Sequence, residues 1–111
     1  SQMKVQGKII ILENDRIEFD FDIRTVIETS HFFIILLSIP FDTESVNNIY
    51  GINKTNREMW QIENHQFWTK LLPYENISKG ESGDIFATDF YGRRVVIDET
   101  TGLIKSHSIV K

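Results

Sequence analysis

Glu18, Asp20 and Asp22 recur at every second position of the run from Arg16 to Arg24, alternating with Ile17, Phe19, Phe21 and Ile23. On an extended strand such carboxylates share one face, with neighbours about 6.6–7 Å apart. That separation could suit glycoside hydrolysis, but glycosidases take their two carboxylates from the two sides of a scissile bond rather than from one open face. A hard cation such as calcium wants roughly six to eight oxygens converging on one point, and a flat row does not converge. Two readings fit the row better. One is a solvated strand face. The other is a docking stripe for a basic protein, because three like charges repel one another and a cationic partner relieves that. Asp15 and Glu28 would extend the stripe.

No other grouping composes a reaction centre. The histidines are His31, His65 and His107. None stands in a metal-binding or nucleophile-elbow spacing, and there is no glycine-rich phosphate loop. His31 opens the most apolar segment and reads as a structural residue. His65 lies beside Phe67 and Trp68 and is expected at the surface or in an interface. His107 alternates with Lys105, which predicts a water-facing position. Trp60 alternates with Ile62 and is assigned to the core. Phe67 and Trp68 are adjacent, so one of them is expected to be exposed. His65, Trp68 and Tyr74 therefore form a second candidate patch, since exposed aromatic residues anchor interfaces. No catalytic, cofactor-binding or metal-ligating residue is assigned. Arg93-Arg94 is a basic pair beside a tight turn, too little charge for a nucleic-acid groove.

Composition narrows the classes further. The chain has 111 residues, 41% hydrophobic and 25% charged, with 16 acidic against 12 basic residues and a net charge of −4. That suits a single folded domain with one sizeable core and argues against nucleic acid as the main partner. With 0 Cys there is no disulfide scaffold and no thiol nucleophile. Ser1 and Gln2, ahead of Met3, read as a vector remnant. The longest apolar run, from Phe32 to Leu37, is far short of the ~20 residues needed to span a bilayer. No secretion signal is recognised, so the expected address is the cytoplasm, with no membrane contact.

The elements that must position these residues are strands. Lys8 to Leu12, the turn Glu13-Asn14-Asp15 and Arg16 to Arg24 predict an antiparallel hairpin. Val26-Ile27 breaks the alternation and suggests a bulge. His31 to Ile39 predicts a central strand covered on both faces and ended by Pro40. Phe41 to Asn48 reads as a loop or one helical turn. Strands follow over Ile49 to Asn53 and Glu58 to Glu63. Phe67, Trp68, Leu71 and Leu72 are spaced as on a short helix stopped by Pro73, and Ser78 to Gly83 reads as a polar loop. The last three strands run over Asp84 to Phe90, Arg93 to Asp98 and Leu103 to Val110. The expected fold is an all-β antiparallel meander of about seven to eight strands, with at most one or two short helices, forming a sandwich or a partly open barrel.

Within Asp84 to Ile104, the D-F-Y-G-R-R turn at Asp89 leads into I-D-E-T-T-G-L-I. This pattern resembles small β-rich immunity proteins encoded beside bacterial polymorphic toxins, including those of contact-dependent growth inhibition. The hairpin from Tyr50 to Ile62 shares the likeness more loosely. The resemblance implies a cytoplasmic, non-enzymatic binder that neutralises a cognate toxin domain by covering or distorting its active site. Such toxins are often nucleases with basic clefts, which an acidic surface suits. A different class, a small sandwich or barrel module that binds an apolar or sugar ligand, fits the same composition. A deep apolar cavity would favour that module.

Overall fold

A computed structural model describes residues 2–110. The chain is all-β, with no helix among the described residues. It runs β1 (Met3–Gln6), β2 (Ile9–Leu12), β3 (Asp15–Glu18), β4 (Ile23–Glu28), β5 (Phe32–Leu37), β6 (Ile49–Asn53), β7 (Met59–Gln61), β8 (Tyr74–Lys79), β9 (Asp84–Asp89), β10 (Arg93–Asp98) and β11 (Ile104–Ile109). These form three antiparallel sheets, ordered β1-β2-β3, β4-β5-β6-β7 and β11-β10-β9-β8. All three sheets follow chain order, as a meander should. The strands number eleven because one predicted strand, Arg16 to Arg24 with its continuation, is divided into β3 and β4 and two more, β1 and β8, are present.

The layers follow from β5. All six of its residues are buried. Successive side chains on a strand point to opposite faces, and here each face has its own core. Phe32, Ile34 and Leu36 pack with Tyr74, Ile77, Ile85, Ala87, Val95 and Ile97 of the C-terminal sheet. Phe33, Ile35 and Leu37 pack with Ile10, Leu12 and Phe19 of the N-terminal region. The middle sheet is therefore the filling of a three-layer sandwich. Burying each large β5 side chain contributes about 1.5–3 kcal/mol before entropy is charged.

Trp60 pins one end of the outer stack. It lies across Gly51 on the neighbouring strand, where an added Cβ would meet its ring at 2.2 Å. Its other contact is Gly102 in the β10–β11 turn, where a Cβ would fall 2.5 Å from the ring. Its indole N–H donates to the Glu99 carbonyl at 2.8 Å. Trp60 is thus partly buried and packed on the outer core.

Three local expectations give way. The bulge in β4 falls between Ile23 and Thr25, so Arg24 is the extra residue rather than Val26 or Ile27. The predicted helix over Phe67 to Leu72 is an irregular strap that bends at residues 67–70. Trp68 packs on the core while Phe67 stays exposed, so the segment does not present the single apolar face that a helix would bury. The end of that strap leads into β8, which includes Ser78 and Lys79 of the expected loop. No helix among the described residues is long and apolar enough to cross a membrane.

Candidate interaction surfaces

The acidic run lies on a corner, not on one strand. β3 ends at Glu18 and β4 begins at Ile23, so residues 19–22 carry the chain from the first sheet to the second. The turn is held by the Phe19 N–H to the Lys8 carbonyl and the Ile23 N–H to the Gly7 carbonyl, both at 2.9 Å. The alternation survives the bend, because Ile17, Phe19, Phe21 and Ile23 all pack into the inner core. Glu18, Asp20 and Asp22 accordingly face outward and are exposed. They splay around the corner instead of forming the flat row expected of a continuous strand. Among the described residues, none of the three is in an ion pair.

Their expected extensions are already engaged. Asp15 accepts from the Arg57 Nε at 2.9 Å, and Glu13 accepts from its Nη2 at 3.0 Å. Glu28 is bridged by the Lys54 ammonium at 2.6 Å. Asp20 has a different neighbour. Burial, and secondarily the Asp20 charge, raise the Tyr50 phenol above its ordinary range. The Tyr50 ring packs against Phe19 with centroids 5.0 Å apart.

Beside this corner stands a residue with little signal in the sequence. Phe41 is fully exposed, at 105% of its reference area. Its loop is tied to the acidic corner by the Ser38 N–H, which donates to the Asp22 carbonyl at 2.8 Å. A turn closes the loop, with the Thr43 N–H donating to the Pro40 carbonyl at 3.1 Å. Farther along, Ser45 and Val46 border a small groove of about 130 Å³ with Asp20 and Phe21. Asp42 and Glu44, which follow it in the chain, are exposed as well. The loop thus carries an exposed aromatic side chain within an acidic segment. The only hint in the sequence was a Phe placed between Pro40 and Asp42, within turn-forming residues.

The second candidate patch is mostly interior. Tyr74 is 2% exposed and lies in the outer core, and its hydroxyl has no hydrogen-bond partner. It is buried because β8 begins there and faces β5. Burial, with Asp89 adding to it, pushes its phenol far up. His65 is also buried, where a surface position was expected. The strap turns its ring under Phe67, with centroids 4.4 Å apart. Phe67 is the exposed member of its pair with Trp68 and stacks on His107 at 4.1 Å. Trp68 packs partly buried on the core, with the Arg93 guanidinium 4.7 Å from its ring centroid. Arg93 is itself fixed by Asp89 at 2.7 Å. The cluster closes the end of the sandwich, and of the three named residues only Trp68 reaches the surface in part.

At the far end of β5, an open groove of about 600 Å³ is lined by His31, Lys79, Ser82, Asp98 and Glu99, among others. It juxtaposes a histidine with two carboxylates, but no hydrogen bond joins them. Glu99 accepts from the Thr29 hydroxyl at 2.8 Å, and Asp98 accepts from the Thr100 N–H at 2.8 Å. Among the described residues, no group of three or more His, Cys, Asp or Glu is placed to hold a metal ion.

No curated protein and no solved structure matches the chain. One family model does match, over residues 1–109, and the chain belongs to that family, the domain of unknown function DUF7957.

Proposed function

We propose that the protein is a non-enzymatic inhibitor acting in the cytoplasm. It binds the basic toxin domain of a contact-dependent growth inhibition or related polymorphic toxin system and occludes that domain's active site. The observation that supports this reading is the acidic corner. Glu18, Asp20 and Asp22 are exposed and, among the described residues, without an ion-pair partner, and the loop that carries exposed Phe41 is tied to the corner by the Ser38–Asp22 hydrogen bond. An aromatic anchor gives an interface its buried centre, and surrounding charges set partner choice and association rate. The resemblance of residues 84–104 to immunity proteins supplies the partner class.

The rival reading, a module for an apolar or sugar ligand, finds less support in its apolar form. Ile34, Ile35 and Leu36 are 0% exposed and fill both faces of the middle sheet. The test is co-expression with the basic protein encoded by the adjacent reading frame. A stoichiometric complex with loss of the neighbour's toxicity is expected. Absence of binding, or binding without inhibition, overturns the proposal.

A further inference from the structure

Six strands border a sheet edge: β1, β3, β4, β7, β8 and β11. An unprotected edge is a template for pairing with another strand. Among the described residues, five of these edges are blunted. β1 and β7 have only four and three residues. β3 reads D-R-I-E and is charged at three of its four positions. β4 and β8 are tied together by Arg24 and Glu75 at 2.8 Å. β11 has six residues; its first outward group, the Ile104 N–H, donates to the Glu63 carboxylate at 2.8 Å, and beyond it no strand is paired on the outer side.

The backbone of β11 is set up for a further strand. The Val110 N–H donates to the Gly92 carbonyl at 2.8 Å. By the alternation of an antiparallel ladder, Ser106 and Ser108 direct their backbone groups toward β10, while His107 and Ile109 direct theirs to solvent. Lys105, the one charged side chain in β11, is the extra residue of a bulge and is drawn to Asp84 at 2.5 Å. From Ser106 to Val110 there is neither Pro nor a permanently charged residue. Exposed apolar side chains flank the edge, with Ile109 at 59%, Tyr91 at 67% and Phe90 at 80%.

We propose that a second copy of this chain pairs along this edge, antiparallel, about a two-fold axis through His107. The register is set by the sequence K-S-H-S-I. It brings Ser106 opposite Ser108 of the second copy and Lys105 opposite its Ile109. Hydroxyl meets hydroxyl, and no two permanent charges of like sign are opposed. His107 exchanges both of its outward backbone hydrogen bonds with its counterpart. The two four-stranded sheets become one continuous sheet, a closed and isologous arrangement. The basic partner of the preceding reading is the poorer occupant, because the free part of the edge, Ser106 to Val110, carries no carboxylate to meet it.

Sedimentation velocity of the full chain at sub-millimolar concentration tests this pairing without reference to any toxin. Wild type is expected at twice the chain mass of 13.0 kDa. Ser106→Glu with Ser108→Glu opposes like charges at two places and is expected to give a monomer. Ser106→Lys with Ser108→Glu differs only in the sign at one position and is expected to restore the dimer. Ile109→Pro removes an outward N–H without touching the bonds to β10 and is expected to give a monomer. Circular dichroism checks that each variant keeps its strands. A wild type that stays monomeric, or the same oligomeric state for the two charged pairs, overturns the proposal.

Discussion

His65 illustrates how one buried ring can carry a pH dependence. Its Nδ1 accepts the Phe67 N–H at 3.2 Å, and its Nε2 is buried without a partner. Burial lowers its pKa below 6.5, and the charges of His107 and Arg93 lower it further, against opposing effects of Glu63 and Asp89. The fold therefore holds the neutral imidazole. A group whose pKa is depressed on folding stabilises the native state above its unfolded pKa, and that contribution is lost as pH falls. Thermal stability should decline from about pH 7.5 to about pH 5. His65→Phe keeps a ring against Phe67 and removes the titration, so its melting temperature should fall less over that interval. Equal slopes for the two proteins would show that His65 is not the group responsible.

At the scale of elements, a single side chain joins two sheets. Asn48 is 2% exposed, just before β6. Its amide donates to the Leu37 carbonyl at 2.8 Å and to the Tyr74 carbonyl at 2.9 Å, while its Oδ1 accepts the Tyr74 N–H at 2.8 Å. It thus completes the backbone pairing at the start of β8. Asn48→Ala leaves three buried backbone groups unsatisfied at about 1 kcal/mol or more each, so a loss of about 3–5 kcal/mol is expected in denaturant melts. A loss below about 1 kcal/mol would mean that water replaces the side chain. The same strand explains what the sequence hides. The buried residues of β8, Tyr74 and Ile77, are three apart, because the register shifts between Tyr74 and Asn76. A bulge thus erases the two-residue period by which a strand is recognised. Where the period is intact, the strands are legible, as at Asp84–Asp89 and Arg93–Asp98. The all-apolar run of β5 likewise announces a strand covered on both faces. The strap from Glu63 to Pro73 misleads in the opposite way. Its i, i+4 spacing does not correspond to one buried face, because Trp68 packs on the core while Phe67 stacks on exposed His107, a tertiary outcome that no local pattern encodes.

At the scale of the molecule, the corner between the first two sheets decides how the acidic run can act. Alternation correctly sorts its apolar side chains to the core and its carboxylates to water, but it cannot reveal that the strand stops at Glu18. Bending fans the three charges over the edge of the sandwich, so they project a broad negative field rather than a local row. A field of that kind acts mainly on diffusional encounter. Reversing Glu18, Asp20 and Asp22 to Lys adds two positive charges per site to a chain whose net charge is −4. Because these side chains form no ion pair among the described residues, the triple variant should keep the wild-type melting temperature within a few degrees. Its association with a basic partner, measured by stopped flow at low salt, should slow by about tenfold or more, and the difference should shrink above about 0.15 M salt, where the Debye length falls to about 8 Å. Phe41→Ala should act on the other rate constant, because losing an anchor speeds dissociation while leaving the field intact. Unchanged association at low salt would make the corner plain solvated surface, and faster dissociation without slower association would put the interface at Phe41 alone.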